Sequence, residues 1–381
     1  MLYSTKNCLA MHSTLKTLLL GLILTAAVTL QVKAAMPEGR PQPVGRQSVL
    51  FEDSTRRSWS GAEARPLQTT IWYPAASGTV EKAWSVAIFE AGSNAVDAPM
   101  TSEPAKLPLI VISHGTGGSA AAIAWLGETL AGNGYIVAAV NHHGNTAAED
   151  EKRLEGTLIW WDRPRDLSVL IDRLLSDPRF GPRIDPDRIG VAGFSLGGYT
   201  ALANVGARLS TAQLLALCAA PESAAACKLP PEISDKFSEA DVKKVLFDNP
   251  RVKEAMLHMD DAYVDRRIKS AFVLAPVLGQ AMSKSSLAAI TAPVELVVGA
   301  ADNQAVPSTS VAPIAAAIPT ASLEILSSVG HYTFMPVCNS QGKTYVKDLC
   351  GDADGVDRDA VHRRVGTWAV DFFGRTLQKT R

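Results

Sequence analysis

The sequence predicts an α/β protein built on a mostly parallel central sheet with helices on both faces. Three observations carry that reading. From about Arg46 onward, short apolar, β-branched runs alternate with longer amphipathic stretches. Several of the short runs are apolar throughout, the pattern of strands covered on both sides rather than on one. The chain, at 381 residues and 47% hydrophobic, is long enough for one large core or two smaller ones.

Taken in order, the expected strands are Ser48–Phe51, Gln68–Tyr73, Leu107–Ser113, Tyr135–Asn141, Arg188–Gly193, Ala271–Leu274, Val294–Val298 and Ser322–Ile325. The first two have no helix between them and are expected as an antiparallel edge. Helices are expected at Ser119–Ala131, Arg163–Ser176, Ser195–Ala207, Val311–Ile318 and Asp357–Leu377, with Ser119 as an N-cap after a glycine-rich turn. Two segments break the rhythm. Gly78 to Lys106, mixed in Gly, Ser, Pro and Ala, is read as a long surface excursion. Leu209 to Arg267 carries four prolines and short helical pieces such as Glu239–Phe247, and is too long for a plain connection. It is expected as a helical cap over one end of the sheet. No internal repeat or low-complexity tract is visible.

Met1 to Ala35 has no acidic residue, carries Lys6 and Lys16, then runs Leu18-Leu-Leu-Gly-Leu-Ile-Leu24 and closes on Val32-Lys-Ala-Ala35. A basic start, a short apolar run and small residues at the close read as a signal peptide over 1–34, with Met11 an alternative start. The apolar run is shorter than the ~20 residues a membrane span needs. The expectation is an exported protein, periplasmic or secreted, with no stable span after cleavage; residues 35–381 then form the functional domain. Four cysteines remain beyond the leader: Cys218, Cys227, Cys338 and Cys350. An even count in an exported chain reads as disulfides, and Cys218–Cys227 with Cys338–Cys350 is the favoured one of three pairings. Neither pair has the spacing of a zinc site. A net charge of −1 and 6% aromatic content argue against nucleic acid as a partner.

Chemistry enters at Gly193-Phe-Ser-Leu-Gly197, directly after an apolar strand and before an Ala-rich helix. That context makes Ser195 the candidate nucleophile on a strained strand-to-helix turn. A serine hydroxyl needs a base and an orienting acid, in the chain order acid then histidine. Of the three histidines beyond Ser195, His331 follows the last expected strand in a flexible Ser-Ser-Val-Gly loop. His258 and His362 read as surface residues, the first within the cap and the second on a charged helix face. The acid is expected at Asp302, just past the Val294–Val298 strand, with a helix-capping role as its other reading. Arg266 to Val294 contains no Asp or Glu. Oxyanion donors are expected from the backbone N–H of Leu196 and from Thr116 in Ser113-His-Gly-Thr-Gly-Gly118. No Gly-Lys-Ser/Thr follows that loop, so it is not a phosphate loop. His114 reads as packing, Asn141-His-His-Gly144 as structural or substrate-facing, Arg163 and Asp166 as a side-chain pair fixing a helix start, and Trp160 and Trp161 as pocket or core.

With these motifs the chain resembles the α/β-hydrolase superfamily over nearly all of residues 35–381. Within it the chain is similar to bacterial relatives of secreted platelet-activating factor acetylhydrolases and predicted dienelactone hydrolases. The segments carrying the likeness are Thr69–Pro74, Ile112–Gly118, Asn141–Thr146, Asp162–Asp166 and Gly193–Gly198. The resemblance implies hydrolysis of small carboxylic esters without metal or organic cofactor. It departs from the dienelactone enzymes, whose nucleophile is cysteine, and from the acetylhydrolases, whose acid follows an earlier strand. Two other readings use the same residues: a serine peptidase or amidase on the same triad, and a binding protein that kept the fold without catalysis.

Overall fold

The computed structural model describes residues 41–378 except 62, 221–228, 230 and 235. The expected signal peptide and Cys227 lie outside the described residues. The sheet is built from β1 (Val44–Arg57), β2 (Ala64–Pro74), β3 (Lys82–Val86), β4 (Phe89–Val96), β5 (Leu107–Ser113), β6 (Ile136–Val140), β7 (Ile184–Phe194), β8 (Ile268–Leu274), β9 (Val294–Gly299) and β10 (Ala321–Leu326). Their order across it is β10-β9-β8-β7-β5-β6-β2-β1-β4-β3. From β6 to β10 every pairing is parallel, while β2 runs antiparallel to both β1 and β6. This is the α/β-hydrolase fold, with every residue of β5, β6 and β9 buried, as their uninterrupted apolar runs require.

Helices α1 (Ala124–Gly132), α2 (Leu154–Leu158), α3 (Arg163–Ser176) and α4 (Leu196–Asn204) accompany the first half of the sheet. Then come α5 (Thr211–Ala219), α6 (Pro231–Ser234), α7 (Glu239–Asp248) and α8 (Pro250–Met256), all within the expected insertion. Finally α9 (Lys284–Ala288), α10 (Ala312–Ala317), α11 (Ser340–Tyr345), α12 (Lys347–Cys350) and α13 (Arg358–Thr376) complete the chain. Helix α7 opens with a capping box between Ser238 and Asp241, which explains why its start is sharp in a surface segment. The insertion is tied down: Arg251 donates to the carbonyls of Arg57 and Ser58, and Trp161 Nε1 donates to Ala255 O at 2.9 Å.

Four expectations require correction. Gly78 to Lys106 is not a loose excursion, because β3 and β4 form a hairpin whose second strand pairs parallel with β1. Consequently β1 and β2 are not the sheet's edge. Trp84 anchors the hairpin beneath the Arg46 guanidinium, 4.0 Å from the ring centroid. Ser119 occupies the expected N-cap position but makes no side-chain cap; Asn141 Oδ1 accepts the Ala120 N–H instead, at 2.8 Å, and the first turn is 3₁₀. His362 is buried rather than on the surface. Its ring stacks on Trp125 at 4.3 Å and its Nε2 donates to Thr333 O at 2.8 Å.

Candidate active site

The chain runs from β5 to β6 on one side and then crosses back to β7 on the other side of β5. Such a reversal opens a crevice at the carboxyl ends of the two central strands, where open α/β sheets bind ligands. The loop after β5 and the turn after β7 both lie there, with Ser113 in register opposite Gly193.

Ser195 sits at φ 57°, ψ −118°, a left-handed conformation that side-chain-bearing residues avoid. The turn is held by Ser195 N–H to Leu274 O at 2.9 Å and by Gly198 N–H to Ser195 O at 2.8 Å. Its glycines are steric necessities. A Cβ on Gly193 would overlap the Gly197 carbonyl, and one on Gly197 would overlap Ser113 O. With that room, α4 begins immediately after Ser195, at Leu196.

Ser195 Oγ donates to His331 Nε2 at 2.9 Å, and His331 Nδ1 donates to Asp302 Oδ2 at 2.7 Å. The carboxylate fixes the tautomer, since it can only accept. All three residues are nearly buried, Ser195 retaining 5% exposure. Asp302 does not cap the helix near Pro307, whose N-cap position is Val306; its Oδ1 instead accepts the N–H groups of Gln304 and Ala305. One oxygen thus locks the turn after β9 while the other meets the histidine. His331 begins a 3₁₀ turn after Gly330, against the ring of Phe194 at 4.9 Å. His258 is far more exposed, its side chain at 54%, and pairs with Asp261 on the insertion.

The loop after β5 passes beside the nucleophile, with a Cβ built on Gly115 only 3.3 Å from Ser195 Cβ. Thr116 precedes two N–H groups already committed elsewhere: Gly117 donates to Asn145 Oδ1 at 2.6 Å and Gly118 to Gly115 O at 3.3 Å. His114 Nδ1 donates to Gly115 O at 2.7 Å while its Nε2 accepts the His142 N–H. Full burial and the nearby Arg163 hold His114 well below its ordinary pKa, so the ring stays neutral as those two bonds demand.

Beneath this loop lies a buried network that the sequence did not disclose. Ser113 Oγ donates to His142 Nε2 at 2.8 Å, and His142 Nδ1 donates to Asp166 Oδ2 at 2.9 Å. Asp166 also receives Arg65 and Arg56, and burial lowers the His142 pKa to about 4. Asp166 itself is held well below the usual carboxylate range by the two guanidinium groups and the histidine, which outweigh its burial. Arg163 and Asp166 therefore do not bond to each other as expected. Arg163 instead donates Nη1 to His114 O at 2.7 Å and Nη2 to Gly115 O at 3.3 Å. His143 pairs with Glu149 and accepts the Trp59 N–H, a structural role for the second histidine. Trp161 is core and Trp160 packs edge-on against it at 5.3 Å. The signals were present in Asn141–Thr146 and Asp162–Asp166, but Arg56 and Arg65, the partners of Asp166, lie on β1 and β2, 110 and 101 residues away.

Cys338 and Cys350 form the expected disulfide, and Cys218 is also disulfide-bonded. Among the described residues no group of three or more His, Cys, Asp or Glu side chains is arranged to hold a metal, and no helix is long and apolar enough to cross a membrane.

Fold and site geometry together define the class: an α/β hydrolase with a serine–histidine–aspartate array at the switch point. Within that class the chain belongs to the family described as serine aminopeptidase, S33, which matches residues 104–335. A cutinase from Thermobifida alba is 34% identical over 91 residues, covering 23% of this chain and 27% of the cutinase. A bis(hydroxyethyl) terephthalate hydrolase from Streptomyces coelicolor is 27% identical over 173 residues, covering 45% of this chain and 51% of that enzyme. The chain thus spans about a quarter to a half of the length of these curated relatives. A ferulic acid esterase structure from Streptomyces cinnamoneus superposes with a TM-score of 0.55 at 22% identity, over 91% of this chain and 92% of that one, which supports the fold.

Proposed function

We propose that this chain is an exported serine hydrolase that cleaves carboxylic esters through an acyl-enzyme on Ser195. The observation that carries the reading is the unbroken hydrogen-bonded line from Ser195 through His331 to Asp302, on a left-handed turn at the crevice. His331 removes the Ser195 proton as Oγ attacks the ester carbonyl carbon. The carbonyl oxygen becomes an oxyanion facing the N–H groups of Leu196 and Thr116, where the start of α4 adds its dipole. Asp302 keeps His331 in the competent tautomer and stabilises its charged form. His331 then protonates the leaving alkoxide, and water, deprotonated by the same ring, releases the acid.

The cutinase and terephthalate-ester relatives favour small or polymeric esters as the substrate class. The acetylhydrolase-like and dienelactone-hydrolase-like kinship is part of this proposal and rests on the five motif segments named above. Export rests on the leader-like composition of residues 1–34 and on the Cys338–Cys350 disulfide. A second reading, peptide hydrolysis, is favoured by the description of the matching family.

Labelling with a fluorophosphonate and mapping the adduct tests the nucleophile, with p-nitrophenyl acyl esters, bis(hydroxyethyl) terephthalate and aminoacyl p-nitroanilides compared in parallel. Ester turnover with a Ser195 adduct that Ser195→Ala and His331→Ala both lose is the expected result. Anilide turnover equal to ester turnover would move the assignment to a peptidase. Absence of any adduct on the folded protein would refute the catalytic reading.

A further inference from the structure

We propose that Arg163 is a positioning residue that sets the oxyanion-binding loop, by pulling two consecutive carbonyls of that loop away from the site. This inference rests on the esterase reading for its kinetic part alone. In a trans peptide the C=O and N–H point in opposite directions. Fixing the carbonyl of one residue therefore aims the N–H of the next. Arg163 Nη1 holds His114 O and so orients the Gly115 N–H; Nη2 holds Gly115 O and so orients the Thr116 N–H. His114 Nδ1 and the Gly118 N–H converge on the same Gly115 oxygen, which leaves that peptide little freedom to turn over.

The cost of the arrangement argues that it is not incidental. The Arg163 side chain is fully buried and its hydrogen bonds go to two neutral carbonyls. Its Nε is buried without a hydrogen-bond partner. Burying a cation with no directly bonded carboxylate is unfavourable, and burial lowers its pKa to about 9. The neighbouring charges are accounted for: Asp166 is bonded to Arg56, Arg65 and His142, all of which face the network beneath the loop. A planar fork is what two adjacent carbonyls require, and a lysine ammonium cannot reproduce it. The charge behind the loop also polarises both peptides in the sense that strengthens their outward N–H groups as donors.

The test uses the full exported domain carrying Arg163→Lys, and Arg163→Met as a second substitution of similar bulk without charge. Removing an oxyanion donor costs ~10²–10³ in kcat, so misaiming one is expected to lower kcat about 10- to 100-fold with KM within about twofold. Affinity for a boronic acid that mimics the oxyanion should fall in parallel. Amide hydrogen exchange across residues 113–118 should quicken, and added guanidinium should partly restore kcat to Arg163→Met. If Arg163→Met does not fold, Arg163→Lys carries the kinetic and exchange measurements. A folded variant with wild-type kcat and wild-type exchange would overturn the proposal, as would equal losses in boronate and substrate binding. Should the wild type hydrolyse no ester, the esterase reading falls, and the exchange measurement still decides whether Arg163 sets the loop.

Discussion

Mild acid should destabilise this protein above the pH at which its carboxylates titrate. His142 and His362 are both buried with pKa values lowered from 6.5 to about 4, chiefly by desolvation, and His114 is displaced in the same direction. A histidine whose folded pKa is depressed contributes its full stability above the unfolded pKa near 6.5. That contribution drains away as pH falls toward the folded value, because only the unfolded chain takes up the proton. Across the interval each such histidine costs about 1.4 kcal/mol per pH unit. From pH 7 to pH 5 the loss is about 2 kcal/mol each for His142 and His362, about 4 kcal/mol together, with His114 adding to it. Set against a typical stability of about 5–15 kcal/mol, that is a large share. Glu295, whose pKa burial raises, works in the opposite sense at the lower end. Asp53 and Asp166, with lowered pKa values, lose their contribution as pH falls through the usual carboxylate range and below it. Urea unfolding at pH 7, 6 and 5 measures the effect, and His362→Gln should reduce the pH 7-to-5 loss by about 2 kcal/mol. A free energy that changed by less than about 1 kcal/mol between pH 7 and 5 would mean these rings are solvated or already charged in the fold, refuting the argument.

Asp302→Asn should lower kcat about 10⁴-fold on a p-nitrophenyl ester, because the amide no longer selects the tautomer that His331 needs; a mild loss would make another acid the orienter. Gly197→Ala should abolish soluble folded protein or displace Ser195, since its methyl group would occupy the Ser113 carbonyl, and circular dichroism with adduct mapping tells the two apart. Cys338→Ser with Cys350→Ser opens a loop of 12 residues and should cost about 3 kcal/mol, read as a lower thermal midpoint and a smaller further drop on adding reductant than the wild type shows, the Cys218 disulfide being left to reduce.

Much of the sheet was legible because burial on both faces leaves an unmistakable apolar run. The expected strand Leu107–Ser113 coincides with β5, and the expected helix Arg163–Ser176 with α3. The β3–β4 hairpin was not legible: its strands are short and half-exposed, with Gly92, Ser85 and Ser93 breaking the alternation, and Trp84 finds its partner Arg46 only in the folded chain. The candidate triad was legible because local geometry requires specific small residues around Ser195 and a fixed order of acid and base. The Arg163 and Asp166 contacts were not, since nothing in Asp162-Arg-Pro-Arg-Asp166 says which carbonyls or guanidinium groups the fold will bring to it. His362 misled for a related reason. Flanking Arg363 and Arg364 suggest a solvated face, but a helix turns 100° per residue, and His362 faces Trp125 while its neighbours do not.

The buried line Ser113–His142–Asp166 gives this chain an internal control for its own chemistry. The same three functional groups, at distances that agree within 0.2 Å and with the same donors, occur twice within one molecule. One serine stands on a left-handed turn at the mouth of a crevice, whereas the other lies within an extended strand with no exposed surface. An electrophile offered to both therefore compares backbone setting, access and the groups behind the acid, two guanidinium groups on Asp166 against two backbone N–H groups on Asp302, with side-chain identity held constant. Searches for hydrolase sites that match only side-chain triplets would find two in this protein, and the dihedral angles of the serine are what separate them.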